Sequence, residues 1–373
     1  MVLTALLTAT SVGGAMALGA PVGDLTHQEG QASSAQQQTA CDYESLFDQT
    51  VGSVVAVRTS SGQGSGFVYD VTNATSELNE SDTVNATTTG SAYIVTNAHV
   101  VSGTDTVEIQ FEDGEYRTGT VVGRSTYSDL AVVNVSDVPA YAEGLSVDDA
   151  DPDHGEKVAA LGNPLGLEET ITHGIVSGAN RSLPTDRGFA IPDVVQTDAP
   201  ISPGNSGGPL VACDGDVVGV NTAGIAQQGA ENIGFAVSAS LIERVVPELV
   251  ADGDFEYPFL GVRTTPVTPA VADANDLNQT TGIMVVSTAE GGPTSGVLQG
   301  ATGVDETTER NVPVGGDVIL AVDGQQIETG EDLGTYLVLE TEPGDTVEMT
   351  VLRDGDVQQI EVTVGERPDP QGT

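Results

Sequence analysis

A glycine-rich turn around Ser206 carries the hydroxyl best suited to covalent chemistry. Residues 204–209 read Gly-Asn-Ser-Gly-Gly-Pro, and glycines beside a serine allow positive φ angles and close approach of a substrate backbone. The N–H groups of Gly204 and Ser206 can then stabilise one oxyanion, and such a donor lowers the barrier by about 3 kcal/mol. We predict that Ser206 is a nucleophile and that Gly204, Asn205 and Ser206 form its oxyanion hole. The alternative is an ordinary glycine-rich turn.

His99 is the best candidate for a general base. It lies in the segment Thr-Asn-Ala-His-Val-Val, directly after the apolar run 93–96. Asp129, in the segment Ser-Asp-Leu-Ala-Val-Val, precedes a run typical of a buried strand. The chain order His, Asp, Ser is that of chymotrypsin-type triads and differs from the subtilisin and α/β-hydrolase orders. The other histidines complete no metal-ligand spacing, so we predict no metal site; they are His27, His154 and His173.

The three side chains are expected to act as one unit. His99 would remove the proton from Ser206 and later return it to a leaving amine. Asp129 would hold the imidazole in one tautomer and stabilise the imidazolium.

Short β-strands must position these residues. From Tyr43 onward the chain consists of Val/Ile-rich runs of four to eight residues separated by Gly, Asp and Asn turns, a pattern that favours a mainly β fold, either an antiparallel barrel or a sandwich. The predicted strands are Val51–Arg58, Gly66–Val71, Tyr93–Thr96, Thr106–Phe111, Leu130–Val135, Lys157–Leu161, Ile171–Ser177, Pro209–Val211, Val217–Thr222 and Ile233–Val237. An amphipathic helix is predicted at Leu241–Leu249, and Asp-Gly-Asp at 252–254 marks a domain boundary.

A second β-rich unit is predicted from Tyr257 to Val364. Asp-Gly pairs at 323–324 and 354–355 are tight-turn signals. The predicted strands are Gly282–Ser287, Asp317–Val322, Thr346–Arg353 and Val357–Val364, and the predicted helix is Asp332–Leu339.

The charge balance of the 373-residue chain is extreme. It has 55 acidic and 11 basic residues and a formal net charge of −44. Because the acids alternate with apolar runs, we interpret the chain as folded and not as a disordered acidic tail. Self-repulsion of this size is screened at high salt, where the Debye length falls to about 3 Å at 1 M. The composition resembles that of salt-adapted organisms, with haloarchaea as the type, and argues against nucleic acid as a partner.

The N-terminal residues indicate export. Residues 1–20 are apolar and end in small residues, as in a signal peptide; a non-cleaved anchor is the alternative. Residues 21–41 are predicted to be a polar linker. We therefore expect an extracytoplasmic protein, secreted or anchored to the outer face of the membrane. Cys41 and Cys213 either pair or remain two thiols. Three glycosylation triplets lie in one polar stretch, at Asn73, Asn79 and Asn85.

Taken together, the motifs TNAHVV, SDLAVV and QTDAPISPGNSGGPLV, with the later GVNT and IGFAV, closely resemble the HtrA/DegP-like family of serine proteases. The resemblance covers about 320 residues. It implies a trypsin-like double β-barrel, a cofactor-free serine endopeptidase that degrades misfolded or unfolded envelope proteins, and often a homotrimer. On this reading the protease domain spans 42–250, a PDZ domain 256–366 and a tail 367–373.

The resemblance also assigns individual residues. The nucleophile, base and acid fall on Ser206, His99 and Asp129. The specificity pocket lies beside Ile201, and a small or medium aliphatic P1 side chain is implied because no acid stands at its floor. A substrate strand would pair with the residues Thr222, Ala223 and Gly224, although Gly224 replaces a bulkier residue. The polar insertion at 72–91 also departs from the family.

The segment at the start of the second unit resembles the carboxylate-binding loop of a PDZ domain. Its residues are Phe259, Leu260, Gly261 and Val262. Their N–H groups would bind a peptide C-terminus, and the peptide would add as an extra strand. In this family the PDZ domain selects substrates or switches the protease through nearby loops, here 181–193. Two alternatives stay open: a catalytically silent chaperone or PDZ scaffold, and a processing protease with one native substrate.

Overall fold

The computed structural model describes residues 41–60, 62–72, 88–148, 150–163, 170–222, 233–305 and 311–368. The expected signal peptide or anchor and the linker up to residue 40 lie outside these ranges. So do the expected glycosylation sites and two expected substrate-strand residues: Asn73, Asn79, Asn85, Ala223 and Gly224. In the part of the chain that is described, no helix is long and apolar enough to cross a membrane.

Six antiparallel strands close a first β-barrel in the order β1-β2-β3-β6-β5-β4. They are β1 Val54–Arg58, β2 Gln63–Thr72, β3 Thr88–Asn97, β4 Thr106–Gln110, β5 Tyr116–Ser125 and β6 Leu130–Pro139. Side chains alternate across each strand, and the inward ones are mostly branched aliphatics with no solvent exposure, among them Val57, Ile94, Ile109 and Val133. The first barrel therefore has a closed apolar core.

A second closed antiparallel barrel follows in the order β10-β11-β12-β9-β8-β7. Its strands are β7 Lys157–Gly162, β8 Thr170–Pro184, β9 Ala190–Thr197, β10 Pro209–Ala212, β11 Val217–Thr222 and β12 Gly234–Ser238. The core contains Val158, Ala160, Leu210 and Val218, all fully buried. The fold class is thus confirmed as mainly β, and barrel closure decides against the sandwich.

Helix α2, Ala239–Ala251, packs across the barrels. Its N-cap Ser238 accepts a hydrogen bond from Leu241 N–H, which satisfies one of the free donors of the first turn. Leucine, isoleucine and valine recur at helical spacing on its buried face: Leu241, Ile242, Val245, Val246 and Leu249. Gly123 of β5 lies so close that a Cβ there would collide with the Leu249 carbonyl, so this contact requires glycine.

The helix α1, Tyr43–Thr50, precedes a 3-10 turn at Val51–Ser53 and was not predicted from sequence. Asp42 caps it by accepting from Ser45 N–H, and Leu46 is buried in the main core. A disulfide joins Cys41, at the end of the expected linker, to Cys213, with their Cα atoms 5.4 Å apart. The bond closes a long loop, since the two cysteines are separated by 172 positions.

The C-terminal domain is built on a sheet in the order β14-β15-β18-β20-β21, with β19 paired to β18. Two short pairs, β13 with β22 and β16 with β17, complete it. The elements are β13 Pro258–Phe259, β14 Val262–Pro266, α3 Pro269–Ala274, β15 Ile283–Thr288, β16 Gly303–Asp305, β17 Val312–Val314, β18 Val318–Val322, β19 Gln325–Gln326, α4 Gly330–Glu340, β20 Thr346–Arg353, β21 Asp356–Thr363 and β22 Gly365–Glu366.

Helix α4 is shared between the two domains. Leu333 and Tyr336 belong to the core of the C-terminal domain, whereas Val338 belongs to the core of the barrels. Across the junction, Asn180 of β8 donates from Nδ2 to Oδ1 of Asp332 at 3.0 Å. The N-terminal half of this helix is therefore fixed to the β8–β9 hairpin.

Candidate active site

The turn after β3 and the turn before β6 bring His99 and Asp129 into direct contact. Asn97 pairs with Leu130 in the barrel, so the residues that follow and precede this pair lie side by side. The Nδ1 atom of His99 is 2.8 Å from Oδ2 and 3.0 Å from Oδ1 of Asp129. A carboxylate accepts only, so Nδ1 carries the proton and Nε2 keeps a lone pair.

Hydrogen bonds to the backbone and to the side chain hold Asp129 in place. Its φ is +56°, in the left-handed region that aspartate tolerates better than most residues. Its carbonyl accepts from Ala98 N–H at 3.0 Å and from Asn97 Nδ2 at 3.0 Å. Its Oδ1 also accepts from the N–H of His99 at 3.1 Å. The orientation of the carboxylate toward the imidazole is thus set by several bonds at once.

Thr222, at the end of β11, adds a hydrogen bond from the second barrel. Its hydroxyl donates to Oδ2 of Asp129 at 3.1 Å. Sequence reasoning placed Thr222 beside a substrate strand and missed this contact, because no local pattern reports a bond between residues 93 positions apart. The contact joins the carboxylate to both barrels.

The pKa of His99 lies above its usual value as the result of opposing effects. Burial lowers the pKa, and the positive charge of Arg187 lowers it further. The hydrogen bond to Asp129 and the negative charge of Asp129 raise the pKa, and together they outweigh the lowering effects. The His99 side chain keeps 45% of its exposure, against 13% for Asp129. The imidazole therefore remains reachable by a reactant while its partner is protected.

The Ser206 turn depends on glycines at two positions. Gly204 has φ +108° and Gly207 has φ +87°, and a Cβ on Gly207 would collide with the carbonyl of Ser65. Ser206 itself is 5% exposed, and Asn205 is 2% exposed. Gly207 N–H donates to the Asn221 carbonyl at 2.8 Å, which anchors the turn to the second barrel.

Ser65 of β2 ties this turn to the first barrel. Its N–H donates to the carbonyl of Ser206 at 2.8 Å. Its own carbonyl accepts from Thr96 Oγ1 at 2.6 Å, and Thr96 lies three residues before His99. The turn with the expected nucleophile is thereby tied to the strand that leads to the expected base.

Ile201 lies against the core of the second barrel, half-buried. Its Cγ1 occupies the space that a Cβ on Gly234 would need, so glycine in β12 makes room for it. The expected specificity pocket beside Ile201 stays a prediction. Of the three expected substrate-strand residues, the structure describes Thr222 alone.

A cleft of about 410 Å³ opens beside His99. Asp129 and Thr222 form part of one wall. The tip of the β8–β9 hairpin also lines the cleft, through Leu183, Pro184, Thr185, Asp186, Arg187 and Phe189. Arg187, which sequence reasoning did not single out, is the cationic group whose charge acts on the imidazole.

Comparisons with known proteins agree with this architecture. Residues 64–220 match the trypsin-like peptidase domain, and residues 258–364 match the PDZ domain. The chain is 34% identical over 310 residues to a serine protease Do-like HtrA of Bacillus subtilis, covering 80% of this chain and 62% of that protein. The chain is similar to HtrA serine proteases, with a trypsin-like fold followed by a PDZ domain.

Other HtrA-like proteins extend the comparison. A probable periplasmic serine endoprotease, DegP-like, of Halomonas elongata is 36% identical over 282 residues, covering 75% of this chain and 55% of that protein. A solved HtrA-type protease, AlgW with a tripeptide, has a TM-score of 0.67 and 29% identity, covering 88% of this chain and 99% of that one. The HtrA-like chain thus spans a little over half of these curated relatives' length.

The PDZ domain of this HtrA-like chain has a groove where a peptide C-terminus was expected. The loop from Phe259 to Val262 lies at one end, with Gly261 at φ +71° and Leu260 only 2% exposed. The groove, about 310 Å³, lies between β14 and α4, with Leu333 and Leu337 on the helix side. Strand β14 is at the edge of its sheet, as strand addition requires.

The protease domain closes one side of this groove. Ser182, Ala190 and Pro192 of the β8–β9 hairpin line it together with the PDZ residues. The same hairpin lines the cleft beside His99 at its tip. One element therefore borders both candidate sites.

Proposed function

We propose that the chain is a serine endopeptidase in which Ser206, His99 and Asp129 form the catalytic triad. The observation that carries the proposal is the contact of His99 Nδ1 with both carboxylate oxygens of Asp129. This contact directs the basic Nε2 away from the acid, where it can accept the proton of a serine.

The proposed reaction is acyl transfer through Ser206. Ser206 Oγ attacks the scissile carbonyl carbon, and its proton passes to Nε2 of His99. The oxyanion of the tetrahedral intermediate is held by the N–H groups of Gly204 and Ser206, with Asn205 between them. His99 then protonates the leaving amine, and an ester to Ser206 remains. Water, activated by His99, hydrolyses the ester and restores the hydroxyl.

Misfolded or unfolded polypeptides are the proposed substrates, with a small or medium aliphatic side chain at P1 beside Ile201. An unfolded substrate is needed because the peptide must lie in the cleft in an extended, strand-like conformation for Ser206 to attack its carbonyl carbon. Peptide C-termini are the proposed ligands of the PDZ loop from Phe259 to Val262. The similar protease AlgW was solved with a tripeptide, which supports peptide binding here.

We place the protein outside the cytoplasm. The Halomonas relative is named periplasmic, and a disulfide such as Cys41–Cys213 persists in oxidising compartments. Whether residues 1–20 are cleaved or remain as an anchor would be read from the N-terminus of the exported protein by mass spectrometry. The resemblance to the family further favours a homotrimer, which light scattering on the purified chain would test.

A salt-adapted origin is proposed from the charge. A formal net charge of −44 opposes compaction at low ionic strength and is screened by salt. The melting temperature should rise between 0.1 M and 2 M NaCl and should rise equally in KCl. An unchanged melting temperature would contradict the proposal.

Labelling of the hydroxyl tests the catalytic assignment. A fluorophosphonate probe in molar salt should label the wild type at Ser206, and casein should be cleaved. Ser206→Ala should abolish both while circular dichroism stays unchanged. Ser202→Ala is the matched control, since Ser202 is an exposed serine of the same turn, and it should behave as wild type. Absence of labelling in the folded wild type would favour the silent chaperone or scaffold.

A further inference from the structure

We propose that Ser65, a residue of the first barrel, is a positioning residue for the oxyanion hole in the second barrel. The inference rests on the proposed proteolytic function. The peptide plane in question joins Asn205 to Ser206. Its N–H, which belongs to Ser206, is one of the two oxyanion donors.

Ser65 makes two hydrogen bonds to this turn, one to the carbonyl on each side of the plane. Its Oγ donates to the carbonyl of Gly204 at 2.6 Å, and its N–H donates to the carbonyl of Ser206 at 2.8 Å. Asn163 N–H in turn donates to Ser65 Oγ at 2.8 Å. The side chain is fully buried, so its hydroxyl donates and accepts within the protein and water does not compete for it.

These bonds fix the two peptide planes on either side of the donor plane. The plane after Gly204 is held at its carbonyl by Ser65 Oγ and at its N–H, which belongs to Asn205, by the carbonyl of Ser202 at 3.0 Å. The plane after Ser206 is held at its carbonyl by Ser65 N–H and at its N–H by the Asn221 carbonyl at 2.8 Å.

With both neighbours fixed, the direction of the Ser206 N–H has little freedom. The hydroxyl matters because Gly204, at φ +108°, has no side chain to restrict its backbone. Without the bond from Ser65 Oγ, the plane between Gly204 and Asn205 keeps only the bond from Asn205 N–H to the Ser202 carbonyl. This plane then has more freedom to tilt, and the N–H groups of Gly204 and Ser206 can change direction with it. An oxyanion hole stabilises a transition state only when its donors point to one place in advance.

Close packing around Ser65 limits which residues can replace it. A Cβ on Gly162 would lie 3.0 Å from Ser65 Oγ, and one on Gly208 would lie 3.1 Å from Ser65 Cβ. The site is therefore too close-packed for a larger residue, and alanine is the substitution that removes the hydroxyl alone.

The test compares Ser65→Ala with Thr50→Val in the full-length chain. Thr50 is a buried residue of α1 whose hydroxyl donates to the Leu46 carbonyl at 2.8 Å, so Thr50→Val removes a similar bond that does not involve the Ser206 turn. For Ser65→Ala we expect kcat to fall about 10–100-fold, with KM within about twofold and fluorophosphonate labelling slowed by a similar factor. The pH at half-maximal kcat/KM should stay unchanged, since His99 and Asp129 are intact. Thr50→Val should lose stability and keep kcat.

A second measurement does not depend on activity. Amide hydrogen exchange of the peptide covering 203–208 should become faster in Ser65→Ala and stay unchanged in Thr50→Val. Wild-type kcat in Ser65→Ala, or wild-type exchange of that peptide, would overturn the positioning role. Failure of the wild type to cleave or label would instead refute the proposed function, and the exchange comparison would still decide whether Ser65 holds the turn.

Discussion

The guanidinium carbon of Arg367 lies 4.1 Å from the ring centroid of Tyr127. Arg367 follows β22, the last strand of the PDZ domain, and Tyr127 precedes Asp129 by two residues. The hydroxyl of Tyr127 also donates to the carbonyl of Pro368 at 2.6 Å. The rings of Phe189 and Tyr257 flank the same cation at 5.6 and 5.9 Å. The chain leaving the PDZ domain is therefore packed on the loop that carries the proposed catalytic acid.

Arg367→Ala should weaken this contact. We expect a loss of about 1–2 kcal/mol of unfolding free energy, because a partly desolvated cation–π contact has that size, and Arg367→Lys should lose less. Urea unfolding at fixed salt measures the change. Arg263→Ala, at an exposed arginine of β14, alters the net charge equally and should have little effect. Equal destabilisation by both variants would assign the effect to charge and not to the ring contacts.

Asp129→Asn should lower kcat by about 10³–10⁴-fold at neutral pH, since an amide that donates to Nδ1 favours the wrong imidazole tautomer. Asparagine tolerates the left-handed backbone at this position, so the fold should survive. Asp137→Asn is the control, because Asp137 also has φ +56° and is exposed. A kcat in Asp129→Asn close to that of wild type would remove Asp129 from the triad.

The pH profile should report the raised pKa of His99. The base must be neutral to act, so kcat/KM should fall as the pH drops through a value above 6.5, the ordinary pKa of histidine. Arg187 lowers the pKa of His99, and Arg187→Gln should therefore move the inflection to higher pH. Arg263→Gln, in the PDZ domain, should leave it in place. An inflection below 6.5 in the wild type would contradict the dominance of Asp129.

Asp193 of β9 should make stability depend on pH in the acid range. Burial raises the pKa of this carboxyl to about 6, against a lowering effect of the Ser238 hydroxyl that donates to it, and the charge of Asp151 raises it further. Between pH 3.8 and about 6, Asp193 therefore keeps a proton in the folded state that it has lost in the unfolded chain. The resulting stability is full below pH 3.8 and disappears as the pH rises through about 6.

Asp193→Asn removes this titration. Relative to the variant, the wild type should lose up to about 3 kcal/mol between pH 4 and pH 7, from 1.36 kcal/mol per pKa unit. Chemical denaturation at several pH values measures the difference. Asp276→Asn, an exposed aspartate with φ +52°, should track the wild type at every pH. Parallel curves for wild type and Asp193→Asn would show that Asp193 is ionised in the folded state.

The sequence predicted most of the strands, and its failures have physical reasons. Strand β5, Tyr116–Ser125, was missed because glycine and arginine interrupt its apolar residues, although β4 and β6 pair with it on both sides. Strand β9, Ala190–Thr197, was missed because proline and aspartate stand inside it. Helix α1 is too short to show a helical period, and burial of Leu46 together with the disulfide holds it in place.

The chemistry of single segments was determined by the sequence alone. A serine between glycines, a histidine after one strand and an aspartate before another are local patterns that the sequence shows directly. Which distant groups meet was decided only by the tertiary structure. Ser65 and Gly204 are 139 positions apart, Thr222 and Asp129 are 93 apart, and Tyr127 and Pro368 are 241 apart. Packing of the two barrels against each other brings the first two pairs together, and packing of the chain after β22 on the first barrel brings the third together. No local periodicity encodes such contacts.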